Sequence, residues 1–177
     1  EVAGYTGLPA DRFSGLTMDK AAEQKGTFDR IVVSRAMHGI TNGGIADTVP
    51  GRFDCITLVL ALVMLRMEGD PALSAPSGRL TELFVHDMDG QLRQSGIGDL
   101  SVGKQIGKLM GALGGRIEAL RPALAAPDNA PLIAAVERNV TLRDNPDLAT
   151  IAQELRGLAN TLGELDNVAL LAGRITR

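Results

Sequence analysis

The sequence predicts an all-α fold: a single-domain bundle of about five to seven helices around a central apolar helix, residues 52–68. Three observations lead there. Helix caps and helix breakers recur along the chain, at Asp29, Pro50-Gly51, Pro76-Ser77, Ser101, Asp128-Asn129 and Asn145-Pro146. Between them, apolar residues return every three or four positions. No stretch alternates with period two for long enough to make a strand. A chain of 177 residues is one domain by size and buries a substantial core.

Residues 1–26, rich in Gly, Thr and Asp, read as an irregular arm with a short helix near Met18 to Gln24. Residues 27–177 form the helical domain. Thr27 or Asp29 caps its first firm helix, which carries Phe28, Ile31, Val32, Arg35 and Met37 and stops at His38-Gly39. Thr41-Asn42-Gly43-Gly44 is turn chemistry. The second helix, Arg52 to Glu68, is apolar on every side, as befits the centre of a bundle. Its single cysteine, Cys55, is expected to be buried and inert; one cysteine excludes an internal disulfide framework and fits a reducing compartment.

The third helix spans about Gly78 to Gln94, with Leu80, Leu83, Phe84 and Met88 inward. Asp87 projects to the same side and needs a partner, because an unpaired buried charge is costly; Arg52 or Arg66 is the expected one. Glu82, His86 and Asp89 share the outer face at metal-ligand spacing, but no further His or Cys lies nearby in sequence, and a solvated face is expected instead of a metal site.

The fourth helix starts at Ser101 and ends near Arg121-Pro122. Val102, Ile106, Leu109, Leu113, Ile117 and Leu120 make its core face. Beside them Gly103, Gly107, Gly111 and Gly115 recur every fourth residue. Each interior glycine destabilises a helix by about 1 kcal/mol relative to alanine. A glycine strip lets another backbone approach closely, the device of tightly packed membrane helices. Two readings follow: the strip packs inside the protein's own bundle, or it is kept open for a partner helix. Lys104 and Lys108, followed by Arg116 and Arg121, add a basic edge. Gly98 to Lys104 also spells GxxxxGK, but Gln105 stands where a phosphate loop needs Ser or Thr, and no buried strand precedes it. A fifth helix, Leu132 to Leu142, and a last one from Asn145-Pro146 towards Ile175, bent near Gly163, complete the chain.

The segment Phe84-Val85-His86-Asp87-Met88-Asp89-Gly90-Gln91-Leu92-Arg93, then Gly96-Ile97-Gly98-Asp99-Leu100-Ser101-Val102-Gly103-Lys104, resembles the hallmark of the ubiquinol–cytochrome c reductase assembly chaperones. Asp47-Thr48-Val49-Pro50-Gly51-Arg52-Phe53-Asp54, followed by an apolar helix ending at Leu65-Arg66, agrees. The resemblance covers roughly residues 28–120 and is strongest in 47–116. The family's aromatic-Tyr-Gly-Arg ending is Leu113-Gly114-Gly115-Arg116 here. The resemblance implies a protein that attends cytochrome b, nascent or partly assembled, during assembly of the respiratory bc1 complex. No cofactor is expected.

Composition narrows the alternatives. Aromatics are 3% with no Trp, and net charge is −3, which argues against a nucleic-acid surface. Glu1 to Ala10 has neither the charged nor the apolar region of a signal peptide. The longest apolar run, Cys55 to Leu65, is about half of what crosses a bilayer. With His38 and His86 as the only histidines, and Asp87 and Asp89 on different faces, no catalytic constellation forms. The expected function is therefore non-enzymatic; a scaffold subunit of a respiratory complex is the alternative, ahead of a small carboxylate- or metal-dependent enzyme. The expected partner-binding residues are Gly103, Lys104, Gly107, Lys108, Met110, Gly111 and Arg116. Arg52, Arg66, Asp87, Asp89, Arg93 and Asp99 are expected to serve structure or interface. A second assembly factor and the membrane surface are further expected contacts. The free protein is expected to be monomeric, in the cytoplasm near the inner membrane.

Overall fold

The computed structural model describes residues 40, 42–94, 96 and 98–175. The expected arm and the helix ending at His38 lie outside them. The described residues form an all-α bundle: α1 (Val49–Glu68), a 3-10 turn (Pro71–Leu73), α2 (Ser74–Gln94), α3 (Asp99–Ala125), α4 (Ala130–Asn139), α5 (Leu148–Glu164) and α6 (Asn167–Leu171).

Helix α1 is the core element the sequence predicts. Every residue from Asp54 to Val63 is buried, and the helix packs against α2, α3 and α5. It begins three residues earlier than expected. Thr48 caps it by accepting from the Gly51 N–H at 3.2 Å, and Pro50 sits in the first turn, where its missing N–H has no bond to lose. Gly51 itself is required: a Cβ there would stand 2.0 Å from the Ala46 carbonyl oxygen.

Helix α2 also starts early, at Ser74 and not Gly78, because Asp70 caps the 3-10 turn through the Ala72 N–H and the turn runs straight into the helix. Pro76 lies in its first turn and does not break it. Leu80, Phe84 and Met88 face the core, and the Phe84 ring centroid is 6.1 Å from that of Phe53.

Gly96, with φ +83°, turns the chain back into α3. This helix begins at Asp99, two residues before the expected cap Ser101, and passes through Pro122 to Ala125. Val102, Leu113, Leu120 and Ala123 are buried along it.

Helix α4 stops at Asn139, short of Leu142, because the chain extends there to pair with the segment before α1. Ala46 N–H donates to Thr141 O and Arg143 N–H to Gly44 O, both at 2.9 Å. Helix α5 is capped not by Asn145 but by Asp147, which accepts from the Thr150 N–H and hydroxyl at 3.0 and 2.7 Å; Asn145 takes φ +52° in the turn before it. The last helix is two. Arg66 donates to the carbonyls of Leu162 and Leu165 at 3.0 and 2.8 Å and ends α5, and Asp166 caps α6. No helix among the described residues is long and apolar enough to cross a membrane.

Candidate partner-binding face

Among the described residues, nothing covers the glycines on the outward side of α3. Gly103, Gly107, Gly111, Gly114 and Gly115 are all exposed, and among the described residues a Cβ added to any of them would meet no atom within 4 Å. The strip is therefore not used for close packing within the described bundle. Lys104 and Lys108 flank it, both exposed, and neither forms an ion pair among the described residues. Met110 is half-buried at its border, packed with Ile106 and Leu109 against the core.

Arg116 departs from its expected place on this face. It is only 5% exposed and forms a buried ion pair with Asp54 of α1. Its Nη2 also donates to Asn139 O at 2.7 Å, and the second Asp54 carboxylate oxygen accepts from the Thr141 N–H at 2.7 Å. One carboxylate thus joins α1, α3 and the end of α4. Burial pushes the Arg116 guanidinium below its ordinary pKa while Asp54 opposes that shift; Nε and Nη1 are buried without hydrogen-bond partners among the described residues. Arg121 also leaves the basic edge: it donates to Glu68 at 2.8 Å and to Glu118 at 2.7 Å. The positive charge beside the glycines is that of Lys104 and Lys108.

The remaining motif residues organise the corner between α2 and α3. Arg93 donates to Asp89 at 2.6 Å, one turn back, and to Asp99 across the Gly96 turn. This bond from Arg93 holds the Asp89 carboxyl below its usual pKa. Asp87 is half-buried and accepts from Gln91 at 2.6 Å; its expected partners are engaged elsewhere, Arg52 with Asp47 at 2.8 Å and Arg66 at the end of α5. Among the described residues, Asp54 is a buried carboxylate that pairs with an arginine. Of the outer-face trio, Glu82 and His86 are exposed and Asp89 is held by Arg93, and no metal-ligating cluster occurs among the described residues. Cys55 is fully buried, and burial raises its thiol pKa to about 12.

A cleft of about 680 Å³ lies beside this face, floored by Met64, Met67 and Ile117 and edged by Glu68, Asp70 and Ser77. Sequence reading missed it. Met64 and Met67 belong to an apolar helix with no polar face to mark an open side, and the 3-10 turn that walls the cleft carries no strong signal.

The fold and this face can be set against known proteins. The family model of the ubiquinol-cytochrome C chaperones matches residues 41–177. This chain belongs to that family. The match extends past residue 120, so α4, α5 and α6 are part of the family's fold as well. Among solved structures, the crystal structure of the Cbp3 homolog from Brucella abortus superposes with a TM-score of 0.73 at 31% identity, over 88% of each chain. No curated protein matches. In this ubiquinol-cytochrome C chaperone, Asp54 and Arg116 stand near the two ends of residues 47–116, and the fold closes them on each other.

Proposed function

We propose that this protein is a non-enzymatic assembly chaperone that binds cytochrome b, newly made or partly inserted, until haem and partner subunits join it. Membership of the ubiquinol-cytochrome C chaperone family supports the assembly role. The observation that carries the binding mode is the open glycine face of α3. Exposed glycines in a 27-residue helix are hard to account for as structure. At solvent positions, residues such as Glu, Lys or Ala stabilise a helix by up to about 1 kcal/mol each relative to glycine. Against an apolar helix, the same glycines let backbones come close and gain van der Waals contact along the strip. Lys104 and Lys108 then border the contact with positive charge, and Met110 offers an adaptable apolar side chain. The work takes place in the cytoplasm, beside the membrane into which cytochrome b inserts.

Affinity purification followed by mass spectrometry, with and without cytochrome b synthesis, tests the role. The chaperone reading predicts cytochrome b among the captured proteins only while it is being made, and absence of this protein from the mature complex. Stable residence in the mature complex contradicts it and favours a scaffold subunit. Capture that does not depend on cytochrome b synthesis rejects cytochrome b as the client.

A further inference from the structure

The cleft beside α3 has a composition unlike the glycine face it adjoins. Its floor is apolar and pliable: Met67 is 3% exposed, Met64 and Ile117 half-buried. Its edge is acidic. Asp70 stays ionised because Asn167 and the Ala72 N–H donate to it. Glu68 is tied through Arg121 to Glu118, so these three carboxylates face Arg121 and Arg66. The Arg66 guanidinium is turned to the carbonyls that end α5, and the edge keeps a net negative charge. Ile117 lies one turn beyond Gly114 on α3, so the cleft opens at one end of the bare face. The other end carries Lys104 and Lys108. From Lys104 to Glu118 is about 21 Å along the helix. The face is thus polarised, positive at one end and negative with an apolar socket at the other.

We propose that this cleft receives the basic end of an apolar segment, and so fixes the direction in which a client lies along α3. The proposal rests on the glycine-face reading and adds an orientation to it. Apolar segments bound for a membrane commonly carry Lys or Arg at the end that stays in the cytoplasm. In the cleft such an end buries its aliphatic stem against methionine and presents its charge to the carboxylates. Reversed, it meets Lys104 and Lys108.

The test uses the full chain and labelled synthetic peptides of about 20 residues. Each has one apolar helical core and ends in two lysines, two serines or two glutamates, and all are held in the same nonionic detergent and titrated by fluorescence anisotropy. The expected result is binding of the lysine-ended peptide about tenfold tighter than the serine-ended one, with the glutamate-ended one weakest. Ser77→Trp, which fills the cleft, and the pair Asp70→Asn with Glu118→Gln each abolish that preference. If Ser77→Trp does not fold, the charge-removing pair decides alone. Equal affinity for the three peptides, or a preference that survives these variants, overturns the proposal. Gly111→Leu separates the two readings. It weakens all three peptides alike if the glycine face is the docking surface. If it has no effect while the lysine preference persists, the glycine-face reading fails, and the cleft binds a basic end without setting a direction along α3. If no peptide binds, both fail.

Discussion

Arg116 of α3 and Asp54 of α1, 62 residues apart in sequence, form an ion pair in the interior of the bundle. The same carboxylate accepts from the Thr141 N–H, and the same guanidinium donates to Asn139 O. Three helices and one connection therefore meet at one pair of charges. Breaking such a pair from one side strands the other charge in the interior.

Arg116→Met is expected to destabilise the fold by roughly 3–5 kcal/mol, because Asp54 is left buried and uncompensated. Adding Asp54→Asn to it recovers part of the loss, since the asparagine oxygen still accepts from Thr141 without a charge. Urea unfolding of the two singles and the double gives the coupling directly. Additive effects contradict the pairing.

Arg93 bridges Asp89 and Asp99 on the surface, and its effect on stability depends on pH. The folded-state pKa of Asp89 lies below the usual aspartate value, chiefly through the Arg93 hydrogen bond. A depressed carboxylate contributes stability above its unfolded pKa and loses it as pH falls through the folded one. Arg93→Gln is therefore expected to lower stability at pH 7 and to lose that effect as pH drops below about 4. Thermal melts of both proteins across pH 2–7 check this; a gap that stays constant contradicts the clasp.

How much of this was legible in the sequence depends on what each residue answers to. Helix α1 was, because burial from Cys55 to Val63 leaves a run that is apolar except for Thr57. The glycine strip was too, since a period of four needs no tertiary information. Helix starts differ from the sequence expectation at two prolines: Pro50 and Pro76 both sit in first turns, where proline is tolerated and does not break the helix. The end of α4 was not legible, because pairing with residues some hundred positions earlier stops it. Arg116 lies inside the bundle and not on the expected face, and the sequence carries a signal for it. It falls three residues after Leu113 and four before Leu120, both buried, and so lies on the core seam. Asp54, the carboxylate that opens the buried run of α1, was its natural partner.

Cys55 is expected to react with a thiol reagent at pH 8 only when the protein opens. It is fully buried and its thiol pKa is about 12, so almost no thiolate is present and none is accessible. The reaction rate should rise with urea in step with unfolding. Fast labelling of the native protein contradicts this placement.

Replacing Gly103, Gly107 and Gly111 together by alanine separates stability from function. Nothing among the described residues obstructs the added methyl groups, so each is expected to stabilise α3 by about 0.5–1 kcal/mol. Client capture should fall at the same time, because the backbone can no longer be approached as closely. Greater stability with undiminished capture contradicts the proposed face.

The most direct measurement is capture of cytochrome b by Gly107→Leu, beside the original chain, with the fold of both checked by circular dichroism and urea unfolding. Gly107 is exposed, and no atom of the described residues would lie within 4 Å of an added Cβ, so leucine is expected to leave the fold intact. If the bare side of α3 is where cytochrome b docks, capture drops at least about tenfold. Undiminished capture by a well-folded Gly107→Leu protein contradicts that claim.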